Sequence, residues 1–167
     1  LPEALRDAGY LTLMSGKWHL SSSKQPDGKN APHHRGFDQF YGTIEGASDF
    51  FAPADLQLNG NSMTHEWEAR DDYYYTDAIT DHALQFLNNR DTQKPFFLYM
   101  AYTAAHWPLH AKAEDIEYYE GRFHHGWDQL RVDRFQRMKK LGVIDPAWQL
   151  SPRHSNIPAW SDASYPR

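Results

Sequence analysis

The chain has 167 residues, a formal net charge of −5 and no cysteine, with a mean hydropathy of −0.80. That length suits one domain with a sizeable core. The acidic balance, with no dense basic stripe, argues against a general nucleic-acid binder, and no stretch approaches the about 18 consecutive apolar residues of a membrane-span candidate.

Ten tyrosines, nine phenylalanines and six tryptophans in so polar a chain point to aromatic-rich loops and clefts as much as to a conventional core. Leu1 to Ala8 predicts a helix: proline is accepted at its first turn, Leu1, Leu5 and Ala8 share a face, and Gly9 suits a C-terminal cap. Tyr10 to Met14 reads as a short buried strand, which Ser15 and Gly16 break. Lys17, Trp18 and His19 follow at once. Ligands of open α/β sheets bind beyond the carboxyl ends of the strands. A lysine with three donors and a titratable histidine at such a place are candidate binding residues. A surface loop that happens to carry two polar residues is the competing reading, and spacing alone does not choose between them.

Residues 21–35 read as a loop, with turn chemistry at Ser21-Ser22-Ser23, Pro26-Asp27-Gly28 and Pro32. The adjacent His33 and His34 read as solvated side chains rather than metal ligands. Gly36 to Gly42 sets aromatic and charged residues between two glycines and has a structural reading. Periodicity is poor from Thr43 to Arg70, where Asn59-Gly60 signals a hairpin turn after Leu56 and Leu58. Trp67 and Tyr73-Tyr74-Tyr75 would suit stacking on a ring-bearing substrate, but packing beneath the following helix is the simpler expectation.

Thr76 to Asn89 is the clearest helix, capped by Thr76 or Asp77, with Ile79, Ala83, Phe86 and Leu87 as its apolar stripe. Asp77 and Asp81 lie in its early turns, where the dipole favours negative charge. Pro95 to Tyr102 is apolar on both faces, as expected of a central strand covered by helices on both sides. Immediately beyond it comes Thr103-Ala104-Ala105-His106-Trp107-Pro108-Leu109-His110. His106 thus stands where Lys17 and His19 stand, past a buried strand, while His110 shapes the loop. Two further helices follow between Lys112 and Gly142: an acidic one at Glu114 to Glu120, and a longer one marked by Trp127, Leu130, Phe135, Met138 and Leu141. The basic residues on the longer helix read as a solvated face, and His124 and His125 are not expected to bind metal. Residues 142–167 read as an extended tail. Two helix–strand units imply an α/β fold with one mainly parallel sheet flanked by helices.

Gly16-Lys17-Trp18-His19-Leu20 resembles a segment of the sulfatases, the arylsulfatase branch of the alkaline-phosphatase-like superfamily. Further segments resemble the same family in order: His34-Arg35-Gly36-Phe37-Asp38-Gln39-Phe40-Tyr41-Gly42, Tyr75-Thr76-Asp77, Lys94-Pro95-Phe96-Phe97-Leu98-Tyr99 and His106-Trp107-Pro108-Leu109-His110. The final residues, with Leu150-Ser151-Pro152-Arg153 and Ile157-Pro158-Ala159-Trp160, resemble one arylsulfatase subgroup. Ser21 departs from the glycine usual after the leucine.

The resemblance implies a sulfuric-ester hydrolase acting on a sulfated small molecule or glycan. It implies that Lys17 binds the sulfate oxygens, that His19 hydrogen-bonds the nucleophile, and that His106 binds the ester oxygen and protonates the leaving group. It also implies a formylglycine nucleophile, made from a Cys/Ser-x-Pro-x-Arg segment that this chain does not contain, and a divalent cation, usually calcium. The ligands of that cation are expected outside this chain, so no residue here is assigned to metal. Residues 1–167 are accordingly expected to be the central part of a single catalytic domain, without its N-terminal nucleophile segment or its C-terminal portion, and inactive alone. A periplasmic, extracellular or lysosomal location follows from the same resemblance. The alternatives are a phosphonate or phosphodiester hydrolase of the superfamily, and a non-catalytic sulfate-binding protein.

Overall fold

The strand expected after Gly9 is β1 (Leu11–Gly16), and the first part of the chain is assembled around it. A computed structural model describes residues 1–21 and 28–163. Helix α1 (Pro2–Asp7) precedes β1, and Gly9 makes the reversal with φ +89°. The remaining strands are β2 (Gln39–Thr43), β3 (Leu56–Leu58), β4 (Asn61–Ser62) and β5 (Phe96–Ala101), arranged in the order β4-β3-β2-β1-β5. Both neighbours of β1 run parallel to it, whereas β2–β3 and β3–β4 are antiparallel. The sheet is therefore mixed, with its parallel part centred on β1.

Alternation along the strands divides the core between two faces. Leu13 and Tyr41 pack with Phe50, Leu56, Ile79 and Phe86 on one face; Met14 and Phe40 pack with Phe37 and Ile44 on the other. Full burial of each such side chain stabilises the fold by about 1.5–3 kcal/mol. The first face is covered by α3 (Tyr75–Asn88), which follows the short α2 (His65–Glu68). Tyr73 and Tyr75 are buried in this core, and the Trp67 indole donates to the Pro53 carbonyl at 3.1 Å, so the aromatic run packs beneath the helix. Several of the buried polar groups are paired across the core. Ser15 Oγ donates to the Ile79 carbonyl at 2.6 Å, and Thr12 Oγ1 to the Gly36 carbonyl at 2.6 Å. Tyr41 donates to Glu66 Oε2 at 2.7 Å, Glu66 Oε1 meets His82 Nε2 at 3.0 Å, and the His82 ring stacks on Tyr41.

The stretch Gly36 to Gly42, read as structural, contributes most of a strand, β2. Three expectations are corrected. Ser15 and Gly16 do not break β1 but complete it, because the Ser15 hydroxyl finds a carbonyl and Gly16 pairs with Ala101. The cap of α3 is not a side chain: its N-cap is Tyr74, and Asp77 instead pairs with Lys112. Finally, β5 is not central. Among the described residues it pairs with β1 alone, and Phe96 and Tyr99 remain 43% and 46% exposed. Apolarity on both faces marks what a strand can bury, not what lies beside it. The Asn59-Gly60 signal holds, with both residues at positive φ as a type I′ turn requires. The turn residues Ser22, Ser23 and Pro26-Asp27 lie outside the described residues.

The chain divides after Lys112. The second unit carries the two expected helices, α4 (Ala113–Tyr119) and α5 (Gly126–Lys140). Its tail is held on α5. The Trp160 amide donates to Asp128 Oδ2 at 2.9 Å, Arg153 pairs with Asp128 Oδ1 at 3.0 Å, and the Trp127 and Trp160 rings meet edge-on. No helix among the described residues is long and apolar enough to cross a membrane.

Two measurements check this packing. A Cβ on Gly42 would lie 1.8 Å from the Gly16 carbonyl oxygen, whereas one on Gly9 meets open space. Gly42→Ala should cost about 3 kcal/mol or more in urea unfolding, and Gly9→Ala about 1 kcal/mol from backbone strain alone. Burial, the largest cause, raises the Tyr41, Tyr73 and Tyr75 phenols above their ordinary value of 10.0. Because the folded values are raised, the stability they confer is complete below pH 10 and is lost as pH rises beyond it. Absorbance titration should show these three ionising only with unfolding, after the exposed tyrosines.

Candidate active site

Strands β1 and β5 are paired in register from Leu11–Phe96 to Gly16–Ala101. Because they are adjacent and parallel, the segments that follow them leave the same sheet edge, about 4.8 Å apart at the strands. Lys17 and His19 follow one strand and His106 the other. No strand lies between the two.

Backbone hydrogen bonds fix the path of the first segment. The Lys17 amide donates to the Ala101 carbonyl at 2.7 Å, the Trp18 amide to Thr43 at 2.9 Å, and the His19 amide to Ile44 at 2.9 Å. Three successive residues therefore cross from β5 to the end of β2. Only glycine permits this closeness at position 16, where φ is +122° and a Cβ would lie 2.0 Å from the Ala101 oxygen. Trp18 anchors the crossing, its indole donating to the Asn30 carbonyl at 2.7 Å and its ring meeting Phe37 edge-on. Lys17 is half-buried, and among the described residues its ammonium has no ion pair.

His19 has φ +60°, a left-handed conformation uncommon outside glycine. Such strain persists only where the surroundings over-determine it and gathers at functional sites. Here the Ile44 bond holds the backbone, and the imidazole lies directly over Gly46, where a Cβ would come within 2.2 Å of Cε1. Gly46 was missed in the sequence because nothing in an aperiodic stretch indicates that a distant histidine covers it.

His106 sits on an exposed turn closed by its amide to the Thr103 carbonyl at 2.8 Å. Its Nδ1 is 2.7 Å from the Trp107 carbonyl. A carbonyl can only accept, so Nδ1 carries the hydrogen, and Nε2 accepts when the ring is neutral or donates when it is protonated. One cation and two imidazoles at one sheet edge are equipped to bind a tetrahedral anion and to move a proton. A cavity of about 370 Å³ lined by Glu3, Trp18, Leu20, Asn30 and Arg35 includes none of the three. Among the described residues no group of three or more His, Asp or Glu is placed to hold a metal ion.

Comparison with known proteins gives the geometry a context. The family model described as Sulfatase matches residues 1–162. The chain is 36% identical over 157 residues to an uncharacterized sulfatase of Schizosaccharomyces pombe, covering 86% of this chain and 27% of that protein. It is also 36% identical to arylsulfatase J of Mus musculus, covering 88% of this chain and 24% of that protein. Among solved structures, BT4656 in complex with its substrate D-glucosamine-2-N,6-O-disulfate superposes with a TM-score of 0.56 at 31% identity, over 73% of this chain and 22% of that one. The chain thus spans about a quarter of the length of the curated relatives it matches.

The seat of His19 can be tested without any substrate. Gly46→Ala should displace its ring, moving one histidine side-chain signal in a proton–nitrogen NMR spectrum while the His106 signal stays in place. An unmoved spectrum would mean that the ring does not rest on Gly46.

Proposed function

Since the chain belongs to the sulfatase family, we propose that it is the central part of the catalytic domain of a sulfuric-ester hydrolase, with Lys17, His19 and His106 serving one sulfate group. The observation that carries this reading is the in-register parallel pairing of β1 and β5, which brings the loops bearing all three to one edge. The Lys17 ammonium binds the sulfate oxygens and offsets charge that grows in the transition state. His106, with Nδ1–H committed to the Trp107 carbonyl, uses Nε2 toward the ester oxygen and in its protonated form delivers the proton that the leaving alcohol requires. His19 supplies a second hydrogen-bonding imidazole on the β2 side of the anion.

A formylglycine nucleophile and a calcium ion go with this reading, but the residues here do not fit either. The sequence has no cysteine and no Cys/Ser-x-Pro-x-Arg segment, and the described residues offer no cluster of metal donors. On this reading Lys17 and His106 act on the substrate, and His19 hydrogen-bonds the nucleophile, which residues 1–167 do not supply. A sulfated sugar is the substrate class favoured, because BT4656, whose substrate is a disulfated glucosamine, shares the fold of this chain. A periplasmic, extracellular or lysosomal setting suits such substrates.

Kinetics on the full-length protein test the proposal. Lys17→Ala should lower kcat/KM for a sulfate ester about 10²–10³-fold, and His106→Ala about 10²–10⁴-fold, with unfolding midpoints unchanged. Full activity in both variants would contradict it, and a preference for a phosphodiester over the sulfate ester would favour the phosphodiester hydrolase. Residues 1–167 alone should hydrolyse no aryl sulfate above a Lys17→Ala control.

A further inference from the structure

His106 has little of its own to hold it in place. Among the described residues its hydrogen bonds stay within its own loop, to Thr103 and Trp107. Its neighbours Trp107 and Leu109 are 73% and 75% exposed. The loop must therefore be fixed from its two ends. At the near end, Tyr102 and Thr80 share a hydroxyl hydrogen bond of 2.7 Å. At the far end, the attachment is concentrated on one side chain, His110, which is only 31% exposed.

We propose that His110 is a positioning residue that clamps the far end of the loop and thereby sets His106 at the sheet edge; the inference rests on the catalytic reading of His106 given above. The Phe50 amide, 60 residues away in sequence, donates to His110 Nδ1 at 3.3 Å. The imidazole meets the Phe50 ring edge-on with centroids 5.8 Å apart, and lies 5.6 Å from the Phe51 ring. The Tyr74 hydroxyl donates to the His110 carbonyl at 3.4 Å. Asp49 Oδ1, which receives the Phe51 and Ala52 amides, is 3.6 Å from Nδ1. Lys112 continues the attachment through Asp77 and the Tyr74 ring.

The chemistry explains why the position suits histidine. An amide hydrogen needs a lone pair at Nδ1, and the aromatic neighbours need a flat ring. Asparagine can place an acceptor close to the Nδ1 position, phenylalanine supplies only the ring, and alanine supplies neither. A loop left loose by about 1 Å at its reacting group can cost about 10²-fold in rate. Sulfate binding by Lys17, just past the end of β1, does not depend on this loop, so the loss should fall on kcat rather than KM.

The test is a double-mutant cycle on the full-length protein with a sulfate ester. In the wild-type background, His110→Ala should lower kcat about tenfold to a hundredfold with KM essentially unchanged, and His110→Asn should recover most of it. In a His106→Ala background the same His110→Ala change should have almost no further effect. If His110→Ala does not fold, His110→Phe and His110→Asn carry the comparison, with loss in the first and not the second expected. Wild-type kcat in His110→Ala, equal activity of the Phe and Asn variants, or a penalty of full size in the His106→Ala background would overturn the clamp. Full activity of His106→Ala alone would overturn the catalytic reading beneath it, whereas an impaired His106→Ala beside an unimpaired His110→Ala would overturn only the clamp.

Discussion

The contact on which the rest depends is the close approach of β1 and β5 at their carboxyl ends. Gly16 lies so near the Ala101 carbonyl that no side chain fits, and the Lys17 amide then takes that same carbonyl oxygen. Parallel pairing gives both strands a common edge, and the absence of a Cβ lets the chain turn there without parting the sheet. Gly42 repeats the arrangement one strand over, close against the Gly16 carbonyl. Three strand ends are thus drawn together at the point where Lys17, His19 and the loop of His106 emerge.

Rigidity and strain are distributed accordingly. The strands beneath the edge are dry, with Leu13, Met14, Phe40 and Tyr41 fully buried. Above it, His19 is held in a left-handed conformation by one carbonyl and one glycine, and His106 stands on a loop fixed at Tyr102 and His110. A site of this kind keeps its donors on short tethers from a packed sheet. Pre-positioned groups need no reorganisation when charge develops, which is the source of most electrostatic catalysis.

Much of this was legible in the sequence where local chemistry and tertiary demand agree. The amphipathic period of Thr76 to Asn89, the Asn59-Gly60 turn and the apolar run before Lys17 each point to the element that forms. So does the placing of His106 beyond a second apolar run. What could not be read depends on partners distant in the chain. Ser15 looked like a strand breaker because its acceptor, the Ile79 carbonyl, is 64 residues away. The β2 strand was hidden because Gln39, Gly42 and the aromatics beside them follow no simple alternation. The rank of β5 in the sheet is invisible to composition, since an apolar strand looks the same at an edge as at the centre. Gly46 belongs to this class too, its role being defined by a ring that only folding brings near.

The central claim is that Lys17 and His106 address one anion at the β1–β5 edge. It is tested most directly by an experimental structure of the full-length protein with a sulfated sugar bound. The account predicts sulfate or ester oxygens within about 2.7–3.2 Å of both Lys17 Nζ and His106 Nε2. A sulfate bound elsewhere, or an ammonium and imidazole directed to opposite faces of the sheet, would contradict it.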